Sequence, residues 1–180
     1  MADNPLTTKT QEQYEQVSDV SAQSREELPL EHEAAIYRRF DKLRREILPN
    51  GKKVMKEHRF EVFAAMDQML SLIHMAMVDG ANAICREGKR LQSSDSVSDR
   101  FLAAGMEEKA MVENSSIDIM LQQYDSVKRE QTQDYIFYIY MRGMELMLSG
   151  TYPAVSRLLL ISLLSPEERD LFETYEERKN

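Results

Sequence analysis

Residues 60–91, FEVFAAMDQMLSLIHMAMVDGANAICREGKRL, decide the fold. Phe63, Leu70, Met77, Ile84 and Leu91 recur every seven residues, and Met66, Ile73 and Gly80 fall between them at three-and-four spacing. A helix lines such residues along one stripe. At 1.5 Å per residue the run predicts a helix roughly 45–50 Å long. A stripe of that length needs cover, so the other helices, or a second copy of the chain, are its expected partners. Gly80 lies inside the pattern. An interior glycine costs about 1 kcal/mol against alanine, which points to a close helix approach or a kink there.

Upstream, Glu31–Leu48 reads as a first helix with Ile36, Phe40, Leu43 and Ile47 on one face. Pro49-Asn50-Gly51 is expected to stop it cleanly, since proline cannot continue the ladder and Asn or Gly accepts positive φ. Residues 1–28 are rich in Gln, Ser, Thr, Asp and Glu and have no sustained period. They cannot bury enough apolar surface to offset ordering entropy and are expected to form a disordered acidic arm.

Downstream, the polar stretch Gln92–Ser98 reads as a loop, with Ser96 and Asp99, or Ser98 alone, capping the next helix. Leu102, Met106 and Ala110 share a face, the pattern weakens at Glu113–Ser116, and Ile117, Met120, Leu121, Tyr124 and Val127 restore it. One helix or two fit this interval equally. After the polar residues 128–133 comes YIFYIYMRGMELML, residues 135–148. Its aromatic start suits a strand, but the Met, Leu and Glu that follow favour a helix. Ala154–Leu164 reads as a buried apolar helix. Ser165-Pro166-Glu167-Glu168 has the residues of a capping box, with proline at the first helical position. The expectation is an all-α bundle of five to seven helices around one long central helix, with 1–28 as the arm and 29–180 as a single domain.

A hydrophobic content of 42% and a charged content of 30% supply both a core and a solvated surface. Twelve methionines and no tryptophan suit helix cores, where Met fills irregular gaps; a partner-binding groove is the sharper alternative. Net charge is −8. The single cysteine, Cys85, excludes an intrachain disulfide and favours a reducing, cytoplasmic compartment, with an uncleaved N-terminal export signal as the alternative. No run reaches 18 apolar residues. The most apolar region, 135–164, is interrupted by Arg142, Glu145, Gly150, Pro153 and Arg157, so no membrane span is expected.

The most distinctive chemistry is basic. Arg38, Arg39, Lys42, Arg44, Arg45, Lys52, Lys53, Lys56 and Arg59 face only Asp41, Glu46 and Glu57, a surplus of six in an acidic chain. Such asymmetry marks either a surface for phosphate or an acidic protein, or a solvated face paired with the chain's own carboxylates. The aromatic group Tyr135, Phe137, Tyr138, Tyr140 and Tyr152 reads mainly as core, with Tyr135 and Tyr138 as the interface candidates. His32, His58 and His74 have no glutamate three residues upstream and there is no His-Glu-x-x-His or cysteine pair, so no metal or cofactor is expected. His74 is expected to be a hydrogen-bonded interior or boundary residue. No Gly-rich phosphate loop or nucleophile elbow occurs. The residues point to a non-enzymatic helical interaction protein, an adaptor, assembly factor or chaperone-like accessory, working as a homodimer or in a hetero-assembly. The alternative is a nucleic-acid-associated regulator using residues 38–59.

Overall fold

A computed structural model of the chain describes residues 30–127 and 129–179, all in helices and their connections, with no strand among them. The all-α expectation holds. The expected arm at 1–28 lies outside the described residues. Residues 35–180 group into one compact unit.

Helix α1, Leu30–Ile47, buries Phe40, Leu43 and Ile47 at helical spacing, and Arg44 and Arg45 in its last turn suit the negative end of the helix dipole. Pro49-Asn50-Gly51 does not stop the chain cleanly. Leu48–Asn50 form a 3₁₀ turn, and Ile47, Asn50 and Gly51 all keep right-handed helical dihedrals. Proline fits here because it occupies a first turn, where its missing N–H is not needed. Gly51 takes φ −54, not a positive value. Its use is steric: a Cβ there would stand 3.0 Å from the Tyr135 ring.

Helix α2, Gly51–Asp79, is the longest described element, with non-helical dihedrals at His58 (φ −132, ψ 30) marking a kink. Its buried set is Val54, Met55, Val62, Phe63, Ala65, Met66, Met69, Leu72 and Ile73 along with Gly51. The heptad seam therefore holds only in part. Leu70 is half-buried and Met77 is 54% exposed, while Met69 and Leu72 are buried. A strict seven-residue repeat drifts by about 20° per heptad around a straight helix, so the buried stripe passes to neighbouring positions. The helix also ends sooner than its periodicity suggests. Gly80 adopts φ 77, ψ −178, and the chain restarts as α3, Ala81–Gln92. A Cβ on Gly80 would meet nothing within 4 Å, so this glycine serves the backbone and not a helix contact.

Ser96 caps α4, Val97–Gly105, by accepting the Asp99 N–H at 3.2 Å. Short α5, Glu108–Val112, and α6, Ser116–Ser126, meet at Asn114, whose φ of 55 settles the open question there as two helices. Asparagine is among the residues that tolerate this conformation best. Helix α7, Gln131–Leu148, runs along α2 and is the most enclosed element. Every residue from Tyr135 to Met141 is buried, as are Gly143, Met144 and Leu146. A helix apolar on all sides requires neighbours on all sides. Here α2, α4, α6 and α8 (Pro153–Ile161) supply them. Phe137 stacks on Phe101 with centroids 3.9 Å apart, and Tyr138 on Phe40 at 5.2 Å. The last helix, α9, Pro166–Glu177, carries the expected capping box: Ser165 N–H donates to Glu168 Oε2 at 2.8 Å and Ser165 Oγ accepts the Glu168 N–H. Phe172 packs edge-on to Phe63 at 5.2 Å and ties α9 to α2. The nine described α-helices exceed the five to seven expected because the break at Gly80 and the turns around residues 106 and 114 divide longer periodic runs.

Candidate functional site

The basic segment separates into two groups. Arg39 pairs with Asp125 and donates to the Leu121 carbonyl at 3.3 Å; Arg45 pairs with Asp41, Lys42 lies 3.8 Å from Glu46, and Lys53 donates to Gln131 Oε1 at 3.3 Å. These four engage the chain's own surface. Arg38, Arg44, Lys52 and Lys56 are exposed and form no ion pair among the described residues. Lys52 and Lys56 lie one turn apart on α2, with Phe60, 74% exposed, one further turn along. Arg59 is half-buried, and its Nε has no hydrogen-bond partner among the described residues.

Tyr135 and Tyr138, the expected interface aromatics, are each 2% exposed. Seen from the sequence they lie toward the polar side of α7, but that helix has no polar side within this stretch. Tyr135 Oη donates to the Leu163 carbonyl at 3.1 Å, and burial, with Glu168 nearby, pushes its phenol up to about 12. Burial also raises Tyr138, against the lowering influence of Arg44 and Arg142. Tyr140 Oη donates to Gln68 Oε1 at 2.6 Å. Tyr152 alone of the aromatic group is on the surface, at 69% exposure.

A polar cluster joins α6 to α7. Tyr124 Oη donates to Asp134 Oδ1 at 2.9 Å, Arg129 Nε donates to the same oxygen at 2.6 Å, and the Arg129 guanidinium lies 3.5 Å from the Tyr124 ring centroid. Burial first, and the Asp134 contact second, push the Tyr124 phenol up to about 12. Arg129 also donates to the Val127 carbonyl at 2.7 Å, and the cluster links the end of α6 to the start of α7. His58 Nδ1 lies 2.8 Å from Glu61 Oε1, and His74 is exposed and not interior. No group of three His, Cys, Asp or Glu side chains suited to a metal occurs among the described residues. Cys85 is half-buried, with Sγ 3.9 Å from Met111 Sδ. Two open concavities are lined by Asp41, Arg44, Arg45, Leu48 and Pro49, and by Arg157, Glu173, Glu176 and Glu177.

The surface that sequence reasoning missed is on α8. Its polar and apolar residues are inverted. Ser156 is fully buried, with Oγ 3.3 Å from the Thr151 carbonyl oxygen, while Val155 (47%), Leu158 (63%) and Leu159 (36%) face solvent beside Tyr152. At about 100° per residue, Ala154, Val155, Leu158, Leu159 and Ser162 share one arc, and Ser156 and Leu160 lie opposite. Arg157, the charged residue of this helix, pairs with Glu176 at 2.6 Å. An apolar run with no clear polar face gives the sequence reader no way to tell the buried side from the open one. Among the described residues this is the densest group of exposed large apolar side chains.

One helical run, 34–79, is long and apolar enough by length and composition to cross a membrane, with a mean hydropathy of 1.2 in its best window, 39% of which is buried. A core helix meets the same test, and α2 buries Val62, Phe63, Met66, Met69 and Ile73 within the chain. In comparison with known proteins, no protein-family model, no curated protein and no solved structure matches this chain.

Proposed function

We propose that the chain is a non-enzymatic helical interaction module that docks a protein partner through the outward face of α8. The observation that carries this reading is the inversion of that helix. Exposed leucines scattered singly are ordinary, but a contiguous apolar arc over a buried serine is the pattern of a surface that is covered in use. Tyr152 at its edge is an amphipathic anchor of the kind enriched at interfaces. The same reading places the module in a reducing compartment, in keeping with the single half-buried thiol. The test is capture from native host extract with the intact chain and with a Val155→Asp/Leu158→Glu variant of unchanged circular dichroism. A partner held by the intact chain and lost by the variant supports the reading; identical capture by both refutes it.

A second reading, binding of nucleic acid along residues 38–59, is favoured by Arg38, Arg44, Lys52 and Lys56, exposed cations that form no ion pair among the described residues. Four phosphate contacts give a slope of log affinity against log salt near −3 to −4 on duplex DNA. Binding that lacks this slope, or that survives Arg44→Glu/Lys56→Glu, removes this reading.

A further inference from the structure

We propose that the first turns of α2 bind a single-stranded nucleic acid, with phosphates on Lys52, Lys56 and Arg59 and a base stacked on Phe60. The inference rests on the second reading above and narrows it to one form of strand. Lys52, Lys56 and Phe60 are exposed and recur every four residues, about 6 Å of rise at each step, while Val54, Met55, Val62 and Phe63 hold the other side of these turns in the core. Arg59 follows the kink at His58. It is half-buried, and its Nε is shielded from solvent with no hydrogen-bond partner among the described residues. A donor taken from water with nothing to bond costs free energy, and a phosphate oxygen is an acceptor that the guanidinium fork matches. Lys52, Lys56 and Arg59 form no ion pair among the described residues.

Phe60 selects among the ligands that cations alone would accept. At 74% exposure it is the most exposed aromatic ring among the described residues, and it stands in the cation row itself. The carboxylates of an acidic protein answer the charges and leave the ring bare. In a duplex the base faces are stacked on one another, and only base edges reach the grooves. A single strand offers both complements at once, a charged backbone and unstacked base faces beside it. Glu57 and Glu61 occupy the adjoining edge, with Glu61 2.8 Å from His58, and the chain as a whole carries −8. Repulsion from those charges confines the contact to this row and keeps its footprint to a short piece of strand.

Fluorescence anisotropy tests the proposal, with the full chain titrated into a labelled oligonucleotide of about twelve residues, made as DNA and as RNA, each as a single strand and as a duplex. The single strand should bind about tenfold more tightly than its duplex, with a slope of log affinity against log salt near −2, the value for three cations on a single strand. The duplex, held by charge alone, should keep the steeper slope given above. Phe60→Ala should weaken the single strand about tenfold and leave the duplex and both slopes unchanged. Phe60→Leu, which keeps an apolar side chain and removes the ring, should behave as the alanine variant does. Lys52→Gln/Lys56→Gln should flatten the single-strand slope to about −0.7. Equal affinity for strand and duplex, or a single strand that Phe60→Ala holds as tightly as before, overturns the proposal and leaves the second reading standing. Polyglutamate of matched charge that binds as tightly as the strand shows that charge alone is read, and it overturns the proposal too. No binding of either form removes both readings.

Discussion

Replacing Gly80 by alanine sets two free energies of opposite sign against each other at one residue. In a continuous helix through residues 60–91, the substitution stabilises by about 1 kcal/mol, the ordinary propensity difference in a helix interior. In the structure Gly80 sits at φ 77, ψ −178, between the end of α2 and the start of α3. That region is populated almost solely by glycine, and a side chain there costs on the order of 1–3 kcal/mol. No packing contribution blurs the comparison, because an added Cβ has no neighbour within 4 Å. Two hydrogen bonds flank the break, Gly80 N–H to Ala76 O closing the last turn of α2 and Ala83 N–H to Gly80 O opening α3, both 3.1 Å. The expected outcome is net destabilisation by about 1–3 kcal/mol. With an m-value of roughly 2 kcal/mol/M in urea, the unfolding midpoint falls by about 0.5–1.5 M. Urea denaturation followed by circular dichroism at 222 nm measures it. A midpoint that rises, with native helicity unchanged or greater, means that α2 and α3 are one helix and refutes the broken-helix reasoning.

Two further outcomes test the core. Phe137→Ala removes a fully buried ring stacked on Phe101 and should cost about 3–5 kcal/mol by the same urea assay; a loss below about 1 kcal/mol contradicts the enclosure of α7. Tyr124 and Tyr135 should hold their protons to about pH 12 in the folded chain, against about 10 when unfolded. Between those values the unfolded chain binds fewer protons, so the stability these residues contribute is complete below pH 10 and is lost as pH rises toward 12. Tyrosinate absorbance recorded together with circular dichroism checks this, and ionisation of both residues near pH 10 with helicity intact contradicts it.

The helical class was legible because period, caps and turn residues agree. Ile36, Phe40, Leu43 and Ile47 gave the stripe of α1, and Ser165 with Glu168 gave the start of α9 by chemistry that requires no knowledge of neighbours. What stayed hidden depends on neighbours. Glycine alone is compatible with a kink, a break and a close approach, and only the packed chain assigns a break to Gly80 and a close approach to Gly51. The basic segment was visible as a cluster, but its division into paired and unpaired cations required Asp125 and Gln131, which lie far away in sequence. Tyr135 and Tyr138 were misplaced for a related reason. The polar residues one turn away suggested an open side of α7, yet α1, α2 and the connection after α8 close it over them. The face of α8 was invisible because Val155, Leu158 and Leu159 do not differ in hydropathy from the buried Leu160 and Ile161.

The enclosure of α7 also dictates when this molecule acquires its form during synthesis. Residues 135–141, YIFYIYM, carry no charge and favour extended pairing, the composition of a segment that adheres to its own kind when left bare. The largest part of their cover comes from α2, more than fifty residues earlier, so the first half of a nascent chain has no completed interior to settle into. The full cover of α7 includes α8 and the Leu163 carbonyl that Tyr135 bonds, so α2 stays without its main partner until most of the chain has been made. A shortage of ribosome-bound holding factors should therefore harm this protein more than an α-bundle of equal size built from consecutive hairpins.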